Sequence, residues 1–538
     1  MSLPHASSIV SGAGLNANPD ASVSPGPDDI PALLAALPAR ISDIARRNAA
    51  SDPQAIALIE DARRLNRAQL VLAIDATANQ LSEWGVQRGD RVMIVAENSI
   101  AQIVLLLASA KLDAWALVSN ARLSAPELDA IRAHARPRVV AYVTETSRDA
   151  ERHAQQHQAQ SAPAPGNGLE IGQWAYTCDD TVTAEPAATS HSPCAALIYT
   201  TGTTGTPKGV MLSHRNLLFI AALSSALRRI EPSDVVYTVL PVSHVYGLAS
   251  VCLGSLYAGA TLRLAPRFVP EAVRHALAHE HVSIFQGVPA MHAKLLEHLH
   301  TQRLPWVAPH LRFAYSGGSP LDAALKARAE SVYGLVLHNG YGMTESSPTI
   351  AQTRLDAPRT DTSAGQIIPG IEVCFMLPDG TPAASGEIGE LWVRGPNVML
   401  GYYRNPEQTR LTVNAQGWLK TGDLARQDAD GALHVVGRSK ELIIRSGFNV
   451  YPAEVEQVLN AHPDVVQSAV IGRAVEGNEE VVAFVELGAQ AQVTAAELIS
   501  WSSARLAPYK RPAEIRVLAA LPAAATGKLL KHRLRELL

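Results

Sequence analysis

From residue 30 onward, short apolar runs alternate with longer stretches of helical period. Residues 33–48 carry helical spacing, and short strands begin at Ile56. Residues 70–84 read as an amphipathic helix stopped by Gly85, followed by a turn at 86–90 and an apolar strand at 91–95. An apolar helix at 99–111 and a buried strand at 139–143 continue the alternation, which predicts an α/β layout. Residues 154–193 are rich in Gln, Ala, Pro, Ser and Thr and predict a course mostly over the surface. A buried strand at 195–198 and a helix at 216–227 capped by Ser213 come next. They are followed by a packed helix at 249–258, a strand at 283–289 leading into a helix at 290–298, and a strand from Phe313. Residues 386–395 read as a turn and strand of a smaller β unit, and 428–431 as a tight turn between strands. Beyond Glu454 a helix, strands at 465–471 and 480–486 and a helix at 495–505 predict a compact α+β unit of about a hundred residues, a usual domain size.

A chain of 538 residues is too long for one core. Its 47% apolar and 18% charged content is ordinary for a globular protein, and a net charge of −4 gives no footprint for nucleic acid. Charges or glycines interrupt every apolar run, so no membrane span is expected. The four cysteines, Cys178, Cys194, Cys252 and Cys374, lie far apart without metal-ligand spacing, as in a reduced, cytoplasmic protein. Residues 1–29, rich in Ser, Ala, Pro, Gly and Asn, lack the basic and apolar regions of a signal peptide and are expected to be a disordered tail.

The densest chemistry lies in Tyr199-Thr200-Thr201-Gly202-Thr203-Thr204-Gly205-Thr206-Pro207-Lys208-Gly209. Glycines bring backbone N–H groups close to an anion, threonines add hydroxyl donors, and Lys208 adds a point charge. Together they predict a phosphate cradle between a strand and a helix. It is not a Walker loop, because Pro207 precedes Lys208 and Gly209 stands where Ser or Thr belongs.

This stretch resembles the phosphate-binding signature of the adenylate-forming enzymes, the superfamily of acyl-CoA and aryl-CoA synthetases, luciferases and peptide-synthetase adenylation domains. Thr201 stands where Ser is usual in that family. Asn339-Gly340-Tyr341-Gly342-Met343-Thr344-Glu345-Ser346 is a second signature, which alone would be a loop with a solvated Glu. The resemblance implies adenine stacking on Tyr341, a Thr344 hydroxyl on the α-phosphate, and Glu345 as a ligand of Mg²⁺ carrying ATP phosphates. It implies backbone contact of Gly317 and Gly318 with adenine and acyl group, and ribose contacts from Asp423 and Arg438. Lys440 matches the hinge about which a small C-terminal lid turns. Ser446 and Gly447 match the loop that meets CoA's pantetheine, Asn449 standing where some relatives have Arg. Lys528 matches the mobile lysine of the adenylation step, within a stretch resembling a site of reversible acetylation.

The fold implied is α/β, with a large N-terminal domain of α/β subdomains plus a β subdomain (30–437) and a small mobile α+β C-terminal lid (438–538). The activity implied is ATP-dependent ligation of a carboxylic acid to CoA through an acyl-AMP, with ATP, Mg²⁺ and CoA as cofactors and no obligatory protein partner. Catalytic roles fall to Lys528, Thr344, Glu345 and His244, the last at the gate between acid and nucleotide. Tyr246, Ser250, Gly318, Gly342 and Pro348 look like pocket positions of 4-coumarate–CoA ligases, suiting an aromatic or phenylpropenoid acid or a medium-to-long-chain fatty acid. No Asp lies between Val235 and Ala265 to hold an α-amine, which argues against an amino acid. The pocket segments show no Arg or Lys for a second carboxylate, making a dicarboxylate less favoured. Transfer to a carrier protein, luciferase-type oxidation and a catalytically silent adenylate-binding protein stay open.

Overall fold

A computed structural model describes residues 29–162, 169–186, 193–201, 207–446, 448–475, 478–488, 491–524 and 529–538. Two large sheets carry most of the chain. One has nine strands in the order Gln366–Ile367, Thr349–Gln352, Leu337–Gly342, Phe313–Ser316, Ile284–Gly287, Val235–Thr238, Thr261–Leu264, Ile56–Glu60, Arg63–Asn66. Its inner pairs are parallel and its edges antiparallel. The other has eight strands, ordered Gly401–Tyr402, Pro207–Ser213, Cys194–Thr201, Trp115–Asn120, Arg91–Ala96, Val139–Tyr142, Ala175–Cys178, Gln160–Ser161. All six residues of Arg91–Ala96 are buried, and the apolar run 92–96 is what a parallel strand covered on both faces requires. The helix Ile100–Lys111 is buried at every position but its last, and His214–Leu227 is nearly as covered. These helices and strands of both sheets share one apolar core, to which Leu58, Val92, Ile103, Leu217 and Phe285 belong.

A four-stranded antiparallel sheet (Glu372–Met376, Gly389–Arg394, Leu419–Gln427, Leu433–Arg438) forms the smaller β unit. The three-stranded sheet Val465–Val475, Asn478–Leu487, Glu514–Leu518 anchors the C-terminal α+β unit, which has its own apolar clusters. The chain is thus an α/β protein with a large N-terminal and a small C-terminal domain. Among the described residues no helix is long and apolar enough to cross a membrane.

Several expectations change. The helical stretch 33–48 is two helices, Ile30–Ala36 and Asp43–Ser51, because Pro38 cannot continue the first. Residues 1–28 lie outside the described residues, and Asp29 caps the first helix, accepting from Ala32 N at 3.1 Å. Residues 154–193 are less superficial than composition suggests. Ile171 and Trp174 are buried, Ala175–Cys178 pairs with the central sheet, and Tyr176 stacks on Trp84 with ring centroids 3.7 Å apart. The phosphate-loop segment connects two antiparallel strands, Cys194–Thr201 and Pro207–Ser213, before the Ser213-capped helix begins. Residues 246–258 are a π-helix Tyr246–Leu253 running into a short α-helix Gly254–Ala258 that ends at Gly259, φ 82°. A π-helical turn is uncommon and is often found beside functional sites.

Candidate active site

The residues singled out in sequence gather at the strand ends of both large sheets and on the β unit. In the Cys194–Thr201 and Pro207–Ser213 hairpin, Thr200 faces Lys208 and Thr201 faces Pro207. Gly202, Thr203, Thr204 and Gly205 lie outside the described residues, as do Gly447 and Lys528. The hairpin is braced from outside. The Tyr199 hydroxyl meets His134 Nδ1 at 2.7 Å, and the His134 ring sits edge-on to Tyr199 and Tyr403. Burial holds the His134 pKa below its ordinary value, helped by Arg404.

Lys208 lies with its Nζ 5.3 Å from the centre of the Tyr402 ring. Tyr402 belongs to the edge strand Gly401–Tyr402 and pairs with Val210. Its hydroxyl donates to Glu345 Oε1 at 2.7 Å. One aromatic residue therefore stands between the phosphate-loop lysine and the expected Mg²⁺ ligand. Burial, then Glu345, raises the Tyr402 pKa far above the usual tyrosine value, keeping it a donor. Glu345 sits in the 3₁₀ turn Thr344–Ser346, with Met399 N donating to its carbonyl at 2.9 Å. Thr344 in the same turn is buried, and Ser347 follows at φ 66°. Among the described residues no cluster of three or more His, Cys, Asp or Glu could hold a metal. A single carboxylate fits a Mg²⁺ that arrives on nucleotide phosphates, because that ion keeps waters and phosphate oxygens as its other ligands.

Asp423 and Arg438 face each other across the strands Leu419–Gln427 and Leu433–Arg438. Arg438 Nε forms an ion pair with Asp423 Oδ1 at 2.9 Å and Tyr341 Oη donates to Oδ2 at 2.5 Å. Asp423 raises the Arg438 pKa, and burial, with Asp423 second, lifts the Tyr341 hydroxyl well above its usual value. The residues expected at adenine and ribose are thus joined by one hydrogen bond and one ion pair. It lies just before the 3₁₀ turn Ser439–Glu441, where Lys440 is exposed. Glu441 in that turn pairs with Lys531 Nζ at 3.2 Å, and Lys531 also pairs with Glu456 at 2.8 Å. Burial opposes the charge on Lys531, but the two carboxylates outweigh it and raise its pKa. Ser446, at φ 52°, is exposed, and its N–H donates to Asn478 Oδ1 at 2.7 Å.

Several residues expected at the acyl pocket also lie against one another. The Tyr246 ring lies beneath the glycine turn, so a Cβ on Gly317 would come 3.3 Å from it. Gly318 has φ 80°, the left-handed region that favours glycine. A Cβ on Gly342 would stand 1.9 Å from the Pro348 carbonyl oxygen, so only glycine fits. Ser250 is buried, with its hydroxyl 3.1 Å from that of Thr349. His244 is half-buried, and its Nδ1 accepts from Tyr246 N at 3.4 Å. Burial raises the hydroxyls of Tyr246 and Tyr315 above the ordinary tyrosine pKa.

Sequence reasoning missed two residues here. Tyr402 carries no periodic or motif signal in Gly401-Tyr402-Tyr403. Arg228, at the end of an apolar helix, reads as an exposed base favoured by the helix dipole, yet it is 1% exposed and reaches the carbonyl of Ser250 at 3.4 Å. The absence of a basic side chain from the pocket segments therefore does not hold for the pocket surroundings.

Residues 45–403 match the family described as AMP-binding enzyme, and 454–528 match the AMP-binding enzyme C-terminal domain. The chain is 34% identical to a feruloyl-CoA synthase of an Amycolatopsis species, across 91% of this chain and 97% of that one. It is also 34% identical to a 2-succinylbenzoate–CoA ligase of Geobacillus kaustophilus, across 90% and 96%. Its structure superposes with a TM-score of 0.77 on the O-succinylbenzoate coenzyme A synthetase of Bacillus subtilis in complex with ATP and magnesium ion, at 30% identity, covering 91% of this chain and 99% of that one.

Proposed function

The chain belongs to the AMP-binding enzymes, and from that premise we propose that it joins a carboxylic acid to CoA in two steps through an acyl-AMP, releasing pyrophosphate and then AMP. The observation that carries this reading is the pairing of two ready-made subsites. One is the Tyr341–Asp423–Arg438 unit, suited to a nucleoside, and the other is Lys208 and Glu345 on either side of Tyr402, suited to its phosphates. Curated relatives matched over nearly their whole length are CoA ligases of aromatic acids, which supports the same activity.

A carboxylic acid with a pKa near 4 is already ionised at neutral pH and needs no general base to attack phosphorus. It needs charge repulsion reduced and an in-line approach held. In our reading Lys208, the backbone of the 202–205 loop and Lys528 stabilise charge on the phosphates, while Thr344 donates to the α-phosphate. Glu345 would hold Mg²⁺, which supplies further positive charge there when bound. Asp423 accepts from the ribose hydroxyls, with Arg438 beside it, and the Tyr341 ring carries the adenine. Gly317, Gly318, Tyr246, Ser250, Gly342 and Pro348 enclose the acyl group, with His244 at its reactive end. For the second step the unit 438–538 turns about Lys440 against the unit 30–437, withdrawing Lys528 and presenting Ser446 and Gly447 to CoA.

The test is release of AMP and thioester from ATP, Mg²⁺ and CoA across a panel of aromatic and C4 to C16 acids. Thioester equal to AMP for one acid class is the expected result. AMP without thioester would direct the acyl group to a carrier protein, and no turnover would favour a silent adenylate binder.

A further inference from the structure

A buried cation beside the acyl pocket narrows the acid, on the ligase reading above. Arg228 is 1% exposed. Its Nη1 donates to Gln286 Oε1 at 2.8 Å and to the Ser250 carbonyl at 3.4 Å, and its Nε donates to Gln352 Oε1 at 3.2 Å. The guanidinium lies over Tyr315, 4.5 Å from the ring centre. All these partners are neutral, and among the described residues no carboxylate pairs with it. Arg91 shows what a purely structural buried arginine looks like in this chain. Four backbone carbonyls accept from it, and Glu185 stands 3.8 Å away. A buried charge left with few neutral acceptors is costly unless something else meets it.

The surroundings are short of acceptors as well. Gln286 Nε2 and Tyr246 Oη are buried and have no partner among the described residues. Gln286 is the residue that holds Arg228, and the Tyr246 ring lies 6.1 Å from that of Tyr315, the ring under the guanidinium. Ser250 and Tyr246 are two of the residues assigned to the acyl pocket in the ligase reading, and this donor-rich cluster borders both. A saturated chain end would leave these donors unpaired.

We propose that Arg228 makes the pocket specific for carboxylic acids that carry an oxygen acceptor at the end remote from the reacting carboxylate. A site built to hydrogen-bond a substrate group discriminates strongly against the analogue lacking it. Arg228 selects the acid and takes no part in phosphoryl transfer.

The experiment uses the full chain and pairs of acids matched in size. 3-Arylpropenoic acids with a para hydroxyl or a para methyl form one pair, and an ω-hydroxy alkanoic acid with the alkanoic acid one carbon longer forms the other. Wild type is expected to favour the oxygen-bearing member roughly ten- to a hundredfold in kcat/KM for acid-dependent AMP release, the range for a hydrogen bond to a charged group. Arg228→Met is expected to bring the ratio near one through KM for the oxygen-bearing acid, while KM for ATP stays unchanged. Arg228→Lys keeps the charge but loses the fork and retains part of the preference. A wild-type ratio near one, or a wild-type ratio kept by Arg228→Met, overturns the proposal. Should Arg228→Met fail to fold, the wild-type ratio and Arg228→Lys decide it. If no acid releases AMP, it is the ligase reading that fails. Thermal unfolding with each pair then tests the inference separately, with the oxygen-bearing acid expected to raise the wild-type Tm more than its partner, and equal shifts refuting it.

Discussion

Replacing Tyr402 by Phe removes one oxygen atom and tests whether the phosphate and metal subsites are held together through that side chain. The ring that faces Lys208 stays, while the 2.7 Å hydrogen bond to Glu345 is lost. A hydrogen bond to a charged acceptor contributes about 1.5–3 kcal/mol. Glu345 is only half-buried, so water partly replaces the hydroxyl and the lower figure applies, about 1.5 kcal/mol or roughly tenfold. The loss is expected in kcat/KM for ATP and as a higher Mg²⁺ concentration for half-maximal rate, because a Glu345 free to rotate is no longer held toward the phosphates. Tyr402→Leu also removes the cation–π contact and is expected to cost about 0.5–1 kcal/mol more. Pyrophosphate release measured across a Mg²⁺ titration at saturating acid reads both effects. A Tyr402→Phe enzyme within twofold of wild type at every Mg²⁺ concentration, or a Leu variant no worse than the Phe variant, would refute the reasoning.

Gly342→Ala should yield little soluble or active protein, since its Cβ would meet the Pro348 carbonyl at 1.9 Å, whereas Gly318→Ala meets nothing nearer than 3.5 Å. The Gly318 variant should fold, with a cost of about 1–2 kcal/mol from its positive φ; soluble yield and activity of the pair check this. Burial pushes His214, His292 and His338 down to a pKa of about 4. The unfolded chain protonates these groups near pH 6.5 and the folded one does not. Stability is therefore full above about pH 6.5 and falls toward pH 4, by on the order of 3 kcal/mol for each histidine. The urea midpoint should drop between pH 7.5 and 5.0, and less steeply in a His292→Gln protein; a flat profile contradicts it. Lys528→Ala should nearly abolish acyl-AMP formation yet leave thioester formation from supplied acyl-AMP largely intact, and equal loss of both in single-turnover assays would count against the assigned role.

Local signals carried most of the fold. The strand Arg91–Ala96 shows as an unbroken apolar run from Val92 onward, and Ser213 marks the start of His214–Leu227 with a capping box to Asn216. Where the reading failed, a longer-range effect won. Residues 207–213 are too short and mixed to announce a strand, and they become one by pairing with Cys194–Thr201. Ile171, Trp174 and Tyr176 sit in a polar-looking segment, but Ile171 joins the core, and Trp174 and Tyr176 are claimed by Trp84 and the sheet edge. The site divides the same way. Glu345, Asp423 and Arg438 stand in recognisable stretches, and the structure shows their hydrogen-bond and ion-pair partners. Tyr402 and Arg228 owe their positions to partners 57 and 58 residues away, Glu345 and Gln286, a distance at which spacing along the chain carries no information.

Lys531 adds a mechanical constraint. It lies three residues past Lys528 and grips Glu441, the residue after Lys440, together with Glu456 on the helix Pro452–Asn460. The ion pairs tie the turn Ser439–Glu441 to the described residues from 529 onward. In the proposed rotation about Lys440, torque at that turn would reach Lys531 through an ion pair as well as through the long backbone path around the domain. Glu441, Glu456 and Lys531 would then travel together as one clamp.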